Sequence, residues 1–214
     1  MLYITMVRTS HPLIAKQLVL YNWKLLSKIE LTDLYKSEES TKITGYQKEI
    51  DSLERLFRKL INYHQKDHLS LFIEIVFCCS ELNDFTSAYL LYSIIKEYEQ
   101  ENRGAFRKKL QSIENGEKKW NAITDLFCII KNYNNYRMTY QSIVSTTPRI
   151  PLMFVLFQDL KMISKLPTID EIHGLLNVEK LKHFREIIET IVLVKLTSYH
   201  IIENQAFQFF FSNV

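Results

Sequence analysis

Glycine and proline, the residues that most often interrupt regular structure, are scarce in this chain. Four glycines and four prolines are spread over 214 residues, too few for the many tight turns that a multistranded sheet requires. At the same time 47% of the residues are hydrophobic, which is enough to build one sizeable core. Long segments without breakers favour helices, so the sequence predicts an all-α fold in a single compact domain of about ten helices.

The distribution of charge argues against nucleic acid as a partner. The net charge is only +3, and residues of both signs are mixed along the chain, whereas nucleic-acid-binding proteins concentrate basic residues in a patch. The most basic stretch, Arg103–Gln111, is interpreted as a solvated face rather than a phosphate-binding surface. We therefore predict that nucleic acid is not a partner.

No part of the sequence has the composition of a membrane-spanning segment. The longest apolar runs fall well short of the ~20 residues that a transmembrane helix needs. The opening residues 1–9 are also too short in apolar length for the core of a signal peptide. We expect no transmembrane segment, so any contact with a membrane would require recruitment by a partner protein.

The cysteines show no spacing typical of disulfides or metal sites. Cys78 and Cys79 are adjacent in an apolar run, and Cys128 lies within another, Phe127–Ile130. We interpret all three as buried free thiols, which are typical of the reducing cytoplasm. In particular, the apolar neighbours of Cys128 indicate a core residue rather than a nucleophile.

Motifs for catalysis on small molecules, for cofactors and for metals are lacking. The chain contains no glycine-rich phosphate loop, no dinucleotide fingerprint and no nucleophile elbow. His64 and His68 are four residues apart beside Asp67, which would place two metal ligands on one helix face. No further pattern completes such a site, so we expect these residues at a surface or a helix end, with no metal and no cofactor.

The spacing of apolar residues predicts the helices. They cover about residues 10–29, 51–64, 69–79, 85–95, 117–131, 152–166 and 177–199. Lys36–Gly45 is predicted to be a loop, and Asn83 or Asp84 to cap the helix that follows. The last long helix carries one apolar stripe, at Val178, Leu181, Phe184, Ile188 and Ile191. Thr168 and Glu171 have the spacing of a capping box for one short helical turn.

An apolar run at Ile150–Phe157 ends in a basic segment that contains Lys161 and Lys165. The run is too short to cross a membrane. Pro151 suits the first turn of a helix, and Pro167 would end that helix. We interpret the segment as one helix whose first half is anchored in the core.

Four segments, in order along the chain, resemble the catalytic domain of Ras guanine-nucleotide exchange factors, the RasGEF domain. The first is "AKQLVLYNWKLLSKIELTDLY" (15–35). The second, "FIEIVFCCSELNDFTS" (72–87), is similar to the family's FI-x-VA-x-x-C-x-x-LNNFNS. The third, "NYNNYR" with "PRIP" (132–137 and 148–151), is similar to NYxxYR and P-C-I-P. The fourth is "DL" with a later proline and "GLLNVEK" (159–180), similar to DL, P and G-LINFxK.

The resemblance implies an all-α domain that binds a Ras-family small GTPase and releases its nucleotide without a cofactor. It places that domain at residues 10–214, after an N-terminal extension of residues 1–9. A protruding helical hairpin would insert between switch I and the phosphates of the GTPase. Its first helix would be about Pro151–Leu166, and its second would begin near Asn177.

The family's functional residues carry over onto this hairpin. An apolar residue that obstructs the Mg²⁺ site corresponds to Lys161 or Leu160, depending on register. Two acidic positions one turn later correspond to Ser164 and Lys165. These four are the candidate catalytic residues. Lys165 reverses the charge of the family's glutamate, and it would repel the lysine of the GTPase's phosphate-binding loop rather than replace phosphate.

The resemblance also implies residues that contact the GTPase. Lys96 lies where the family often has an asparagine, near the end of the helix after the second segment. The other candidates are Tyr133, Tyr136, Arg137 and Phe157.

Three functions stay open on the sequence alone. The first is an exchange factor that releases nucleotide by steric wedging, despite the altered hairpin. The second is a catalytically inactive RasGEF-like module that binds a GTPase or a scaffold. The third is a general helical interaction domain that resembles the family by chance. The retention of the core motifs favours the first of these.

Overall fold

The structure is a computed structural model that describes residues 10–35, 39–63, 65–170 and 174–213. These residues form eleven helices and one pair of short strands, which confirms the predicted all-α fold. The elements are α1 (His11–Ser27), α2 (Leu31–Tyr35), α3 (Thr41–Tyr63), α4 (Gln65–Glu81), α5 (Phe85–Glu101), α6 (Arg103–Gln111), α7 (Gly116–Leu126), α8 (Asn134–Ser142), α9 (Met153–Ser164), β1 (Ile169–Asp170), β2 (Leu175–Leu176), α10 (Val178–Leu196) and α11 (Gln205–Ser212).

Helix α4 forms the centre of the core. It packs against both α1 and α5, and its apolar residues from Leu69 to Cys79 are buried on most sides, as the sequence predicts. Helices α3 and α7 pack against α4, and α11 packs against α1; all of them contribute to one continuous hydrophobic core. No helix in the described ranges has the length and apolar content needed to cross a membrane.

The predicted loop at Lys36–Gly45 is wrong in its second half. Helix α3 begins at Thr41 and continues to Tyr63. The reason is burial, because Ile43 and Tyr46 each expose less than a twentieth of their surface and join the core. Their apolar contacts outweigh the local preference of Gly45 for a non-helical backbone.

The predicted helix at 117–131 ends early. Helix α7 stops at Leu126, and Lys131, Asn132 and Tyr133 all have positive φ angles between 52° and 57°. This left-handed backbone is unusual for residues other than glycine and breaks the helical stripe. As a result Ile129 and Ile130, interpreted above as core neighbours of Cys128, are about 70% exposed.

All three cysteines are free thiols, as predicted, but only Cys79 is buried. Burial raises the pKa of the Cys79 thiol well above its usual value, which disfavours the reactive thiolate. Cys78 and Cys128 are half-buried, which corrects the prediction for these two.

A short antiparallel ribbon replaces the helical turn predicted at Thr168. Strand β1 begins at the next residue, and Ile169 pairs with Leu176. Gly174 provides the positive φ angle at the return of the chain. Glu171, the other half of the predicted capping box, lies outside the described residues, as do residues 1–9 and the side chains of His64, Asp67 and His68.

Asp84 caps α5 and joins three helices. It is fully buried, and its Oδ1 accepts the N–H of Ser87 at 2.9 Å. The side-chain amide of Asn22, on α1, donates to both oxygens of Asp84 at 2.9 and 3.2 Å. The hydroxyl of Tyr46, on α3, donates to Oδ1 of Asn22 at 2.9 Å. Of the two residues predicted as the N-cap of α5, Asp84 is therefore the one that caps the helix.

The buried Asp84 makes stability depend on pH. Burial raises the pKa of Asp84 from 3.8 to about 6, so the folded state holds this proton more tightly than the unfolded state. The protonated carboxyl group therefore stabilises the folded state. This stabilisation is complete below about pH 4 and is lost as the pH rises through 6. It amounts to roughly 3 kcal/mol of unfolding free energy.

Asp84→Asn keeps the capping acceptor but cannot ionise, so the variant tests this assignment. Urea unfolding from pH 4 to pH 7 should show that the wild type loses stability relative to Asp84→Asn. Parallel pH profiles for the two proteins would show that the carboxyl group does not titrate in this window.

Candidate functional site: the helical hairpin

Helices α9 and α10 form the hairpin, with the β1–β2 ribbon between them. They pack against each other, and α9 begins in the core with buried Met153, Val155 and Leu156. From Lys161 to Leu181 most described residues are exposed, and we call this part the hairpin tip. The hairpin therefore has a buried base and a solvent-exposed tip.

Backbone hydrogen bonds fix the base of the hairpin to the start of α5. The N–H of Ile150 donates to the carbonyl of Asn83 at 2.8 Å, and the N–H of Phe85 donates to the carbonyl of Ile150 at 3.1 Å. They form a one-residue parallel bridge between Asp84 and Ile150. Asn83 adopts a left-handed backbone, with φ of 58°, which turns its carbonyl toward this partner.

The side chain of Thr86 completes this attachment. Its buried hydroxyl donates to the carbonyl of Pro151 at 2.6 Å and accepts the N–H of Met153 at 2.9 Å. One side chain thus satisfies two backbone groups at the start of α9, where helical hydrogen bonds are incomplete. We call the contacts of Asn83, Phe85 and Thr86 with residues 150–153 the base clamp.

Helix α8 supports α9 from another direction. The hydroxyl of Tyr136 accepts the N–H of Leu152 at 2.8 Å, and burial raises the pKa of Tyr136 above its usual value. Arg137 donates two parallel hydrogen bonds to the carboxylate of Asp159 at 2.7 and 2.8 Å. Such bidentate pairs fix orientation as well as distance. Both side chains serve to position α9.

The remaining candidates for GTPase contact lie in different environments. Tyr133 is buried, and its hydroxyl is 3.2 Å from that of Tyr89. Phe157 is half-buried, with its ring edge-on to Tyr46 at 6.1 Å. Lys96 pairs with Glu99 of its own helix at 2.7 Å and has no contact with the hairpin among the described ion pairs. Only Phe157 of these three lies on the hairpin itself.

Of the four candidate catalytic residues, one is buried and three are exposed. Leu160 is 3% exposed and packs in the core. Lys161, Ser164 and Lys165 are exposed together at the end of α9, and the Ser164 hydroxyl donates to the carbonyl of Lys161 at 2.9 Å. Of the two registers considered above, Lys161 is the one whose side chain reaches solvent.

Residues of α10 hold the chain that leaves α9. The ammonium group of Lys180 donates to the carbonyl of Leu166 at 2.7 Å and to the hydroxyl of Thr168 at 3.1 Å. Asn177 donates to the carbonyl of Pro167 at 3.1 Å and caps α10 by accepting the N–H of Lys180 at 3.0 Å. These bonds give the exposed tip a defined conformation.

The tip also carries apolar side chains that the sequence did not identify as functional. Val178 and Leu181 belong to the apolar stripe of α10, yet they are 73% and 50% exposed, because α10 extends beyond the core at its start. Five more apolar residues of the tip are exposed: Met162, Leu166, Ile169, Leu175 and Leu176. Their position around a predicted turn was the signal that could have indicated their exposure, because no neighbouring element covers the end of a hairpin.

A groove of about 490 Å³ lies beside the hairpin, between α3, α5 and α9. Phe154, Phe157 and Tyr89 line it, and Phe154 stacks on Tyr89 with ring centroids 6.2 Å apart. Phe154 is 47% exposed although it belongs to the apolar run of α9. Lys161 also lines this groove, so an aromatic surface continues directly into the tip.

Comparison with protein families agrees with this architecture. The family model described as the RasGEF domain matches residues 13–182, about four-fifths of the chain, from α1 to the first turns of α10. Comparison with curated proteins gave no match. Because the family model covers most of the chain, the protein belongs to the RasGEF domain family.

Removing the hydroxyl of Thr86 tests the base clamp. Thr86→Val preserves the shape of the side chain but leaves the carbonyl of Pro151 and the N–H of Met153 unpaired in a buried place. Each such group costs about 1–3 kcal/mol, so we expect the unfolding free energy to fall by roughly 3 kcal/mol in urea unfolding. Hydrogen exchange of residues 150–157 should become faster.

Thr139→Val makes the same chemical change at an exposed position of α8. It should alter stability by less than about 0.5 kcal/mol. Equal effects of the two substitutions would show that the base clamp contributes no specific stability.

Proposed function

We propose that this member of the RasGEF domain family is a guanine-nucleotide exchange factor for a Ras-family small GTPase. The observation that carries the proposal is the hairpin, with its base clamped to the core and its apolar and basic tip exposed. In this proposal the tip enters the GTPase near the switch regions and the phosphate site and promotes release of GDP.

Release of nucleotide by steric displacement requires a rigid hairpin. Phosphate and Mg²⁺ hold the switch regions of a GTPase ordered, so an exchange factor must displace those contacts and stabilise the empty state. A flexible hairpin would deform instead of displacing them. Thr86 and the Arg137–Asp159 pair oppose such deformation because they fix the start and the middle of α9. Tyr133 and Tyr136 are buried and Arg137 is paired with Asp159, so we assign these three residues to positioning rather than to direct contact.

The surface that we assign to the GTPase combines the groove and the tip. Phe157 and the exposed ring of Phe154 offer apolar contact area beside Lys161. Aromatic residues in partly formed pockets contribute strongly to protein–protein interfaces. Lys96, half-buried on α5, is the further candidate contact in this proposal.

The side chains at the end of α9 differ in chemistry from those at the same positions in the rest of the RasGEF family. Lys161 takes the place of the apolar obstructing residue, and Lys165 takes the place of the glutamate. In the exchange proposal release is therefore mainly steric: the ammonium group of Lys161 occupies the space of Mg²⁺ by bulk and positive charge, while Lys165 faces the phosphate-binding loop without replacing phosphate. The apolar residues around them, such as Met162, provide the contact area.

A second function, a catalytically inactive module that binds a GTPase, is favoured by one specific observation. Lys165 is exposed at the position of the family's glutamate, and the sequence contains no acidic residue between Asp159 and Asp170. A protein of this kind would bind the GTPase through the same surface without accelerating release. Either function places the protein in the cytoplasm, with any membrane contact made through its partner.

Release of a fluorescent guanine nucleotide from Ras-, Rap-, Ral- and Rheb-type GTPases distinguishes these functions. An exchange factor accelerates release from at least one of them. Binding to the nucleotide-free GTPase without acceleration would contradict exchange and support the inactive module. The absence of binding to every GTPase in the panel would contradict both.

Lys165→Glu tests the assignment of the hairpin position. If Lys165 faces the cationic phosphate-binding loop, the substitution replaces repulsion by attraction, and nucleotide release should become at least about tenfold faster, corresponding to about 1.4 kcal/mol. Lys108→Glu makes the same charge change at an exposed position of α6 and should leave the rate unchanged. The same rate change in both variants would show an effect of net charge alone.

A further inference from the structure

A second cavity lies on the opposite side of α9 from the groove. It has a volume of about 670 Å³ and lies between α8, α9 and α10. Val155, Asp159 and Ile163 of α9 face it, whereas Phe154 and Phe157 face the groove. This periodicity of the helix separates the two sites. We call this second site the rear cavity.

Arg149 lines the rear cavity and is unusual in its environment. Only 5% of its surface is exposed, and its Nη1 donates to the carbonyls of Tyr140 and Ile143 at 3.1 and 2.7 Å. Its Nε and the hydroxyl of Tyr140 are both buried without a hydrogen-bond partner. Among the described ion pairs, none joins Arg149 to a carboxylate. The guanidinium group lies over the ring of Tyr140, 5.0 Å from its centroid.

The other charged groups that line the cavity already have partners. Asp159 is paired with Arg137. Glu189 is paired with Arg185 at 2.7 Å, and Glu186 lies 3.4 Å from His183. Arg149 is therefore the cation around the cavity for which the described residues provide no anion. A buried charge without a counter-charge is unfavourable, so the site is suited to receive one negative charge from outside.

The other residues that line the cavity indicate which kind of ligand would bring this negative charge. Leu156, Ile163, Ile187 and Leu193 contribute apolar walls, which suit an aliphatic chain. Glu186 and Glu189 also line the cavity, and they add no positive charge to that of Arg149, so the cavity suits one negative charge rather than two. A carboxylate has a single charge and accepts a charge-assisted hydrogen bond from a guanidinium group.

We propose that the rear cavity binds a small aliphatic monocarboxylate, with its carboxylate on Arg149 and its chain between α9 and α10. The "PRIP" segment has arginine where the related family motif P-C-I-P has cysteine, so the charge is a feature of this chain. The ligand contacts α8, α9 and α10 together, and it therefore stiffens the hairpin from behind. The proposal does not depend on the identity of the GTPase or on exchange activity.

Calorimetric titration of the full chain with octanoate and with octanamide tests this binding. Both probes have the same chain, but only octanoate is charged. We expect saturable binding of octanoate, at least about tenfold tighter than that of octanamide, since a charge-assisted pair with Arg149 is worth more than a neutral hydrogen bond. Hydrogen exchange should slow in residues 149–156 and 187–193 when octanoate is present. Equal binding of the two probes, no binding, or protection elsewhere would each overturn the proposal.

Arg149→Gln removes the charge and retains a polar amide in place of the guanidinium group. It should lose the preference for octanoate over octanamide. Arg103→Gln makes the same charge change at an exposed position of α6 and should retain the preference. Retained preference in Arg149→Gln would contradict the assigned contact. The selectivity and the protection are measured on the wild-type protein, so the proposal can fail whether or not this variant folds.

Discussion

The contact between the start of α5 and the start of α9 is the constraint on which the rest of the structure depends. Asp84 caps α5 and is joined to α1 and α3 through the side chains of Asn22 and Tyr46. Asn83, Phe85 and Thr86, its neighbours in sequence, provide the base clamp for residues 150–153. The position of the hairpin is thereby set by the most buried polar network of the core. Through the base clamp, that network also orients the exposed tip.

The two faces of α9 have different physical roles because they meet different neighbours. One face meets α3 and α5 and forms an aromatic groove that continues into the basic tip. The other face meets α8 and α10, and there the Arg137–Asp159 pair and the rear cavity lie side by side. Contacts on the rear face therefore affect the presentation of the front face without touching a partner.

The sequence predicted the helices that nearby residues along the chain mark out. Helices α1 and α10 show apolar stripes, α4 contains a nearly continuous apolar run, and Pro151 and Pro167 bracket α9. Periodicity identified the first two of these helices. It could not locate the end of α7, because left-handed backbone at Lys131–Tyr133 is imposed by tertiary contacts on residues that rarely adopt it. Burial in the same way extended α3 back to Thr41 through the predicted loop.

The candidate site was predictable only in part, for a similar reason. Family resemblance located the hairpin, but it could not distinguish exposed Lys161 from buried Leu160, which differ by one residue in register. By the family resemblance Arg137 stays a predicted contact with a GTPase, but the sequence did not indicate that it pairs with Asp159, 22 residues away. Spacing along the chain does not reveal pairs of that separation. Arg149 was visible in the sequence, but its lack of a counter-charge is a property of the folded cavity.

Mapping of the interface tests most directly whether the clamped hairpin is the surface that acts on a GTPase. Hydrogen exchange would be measured with and without a bound nucleotide-free Ras-type GTPase. The account predicts new protection in residues 161–166 and 175–181 and in the groove around Phe154 and Phe157, with residues 150–153 already slow in the free protein. Protection confined to other surfaces, with the tip unchanged, would contradict it.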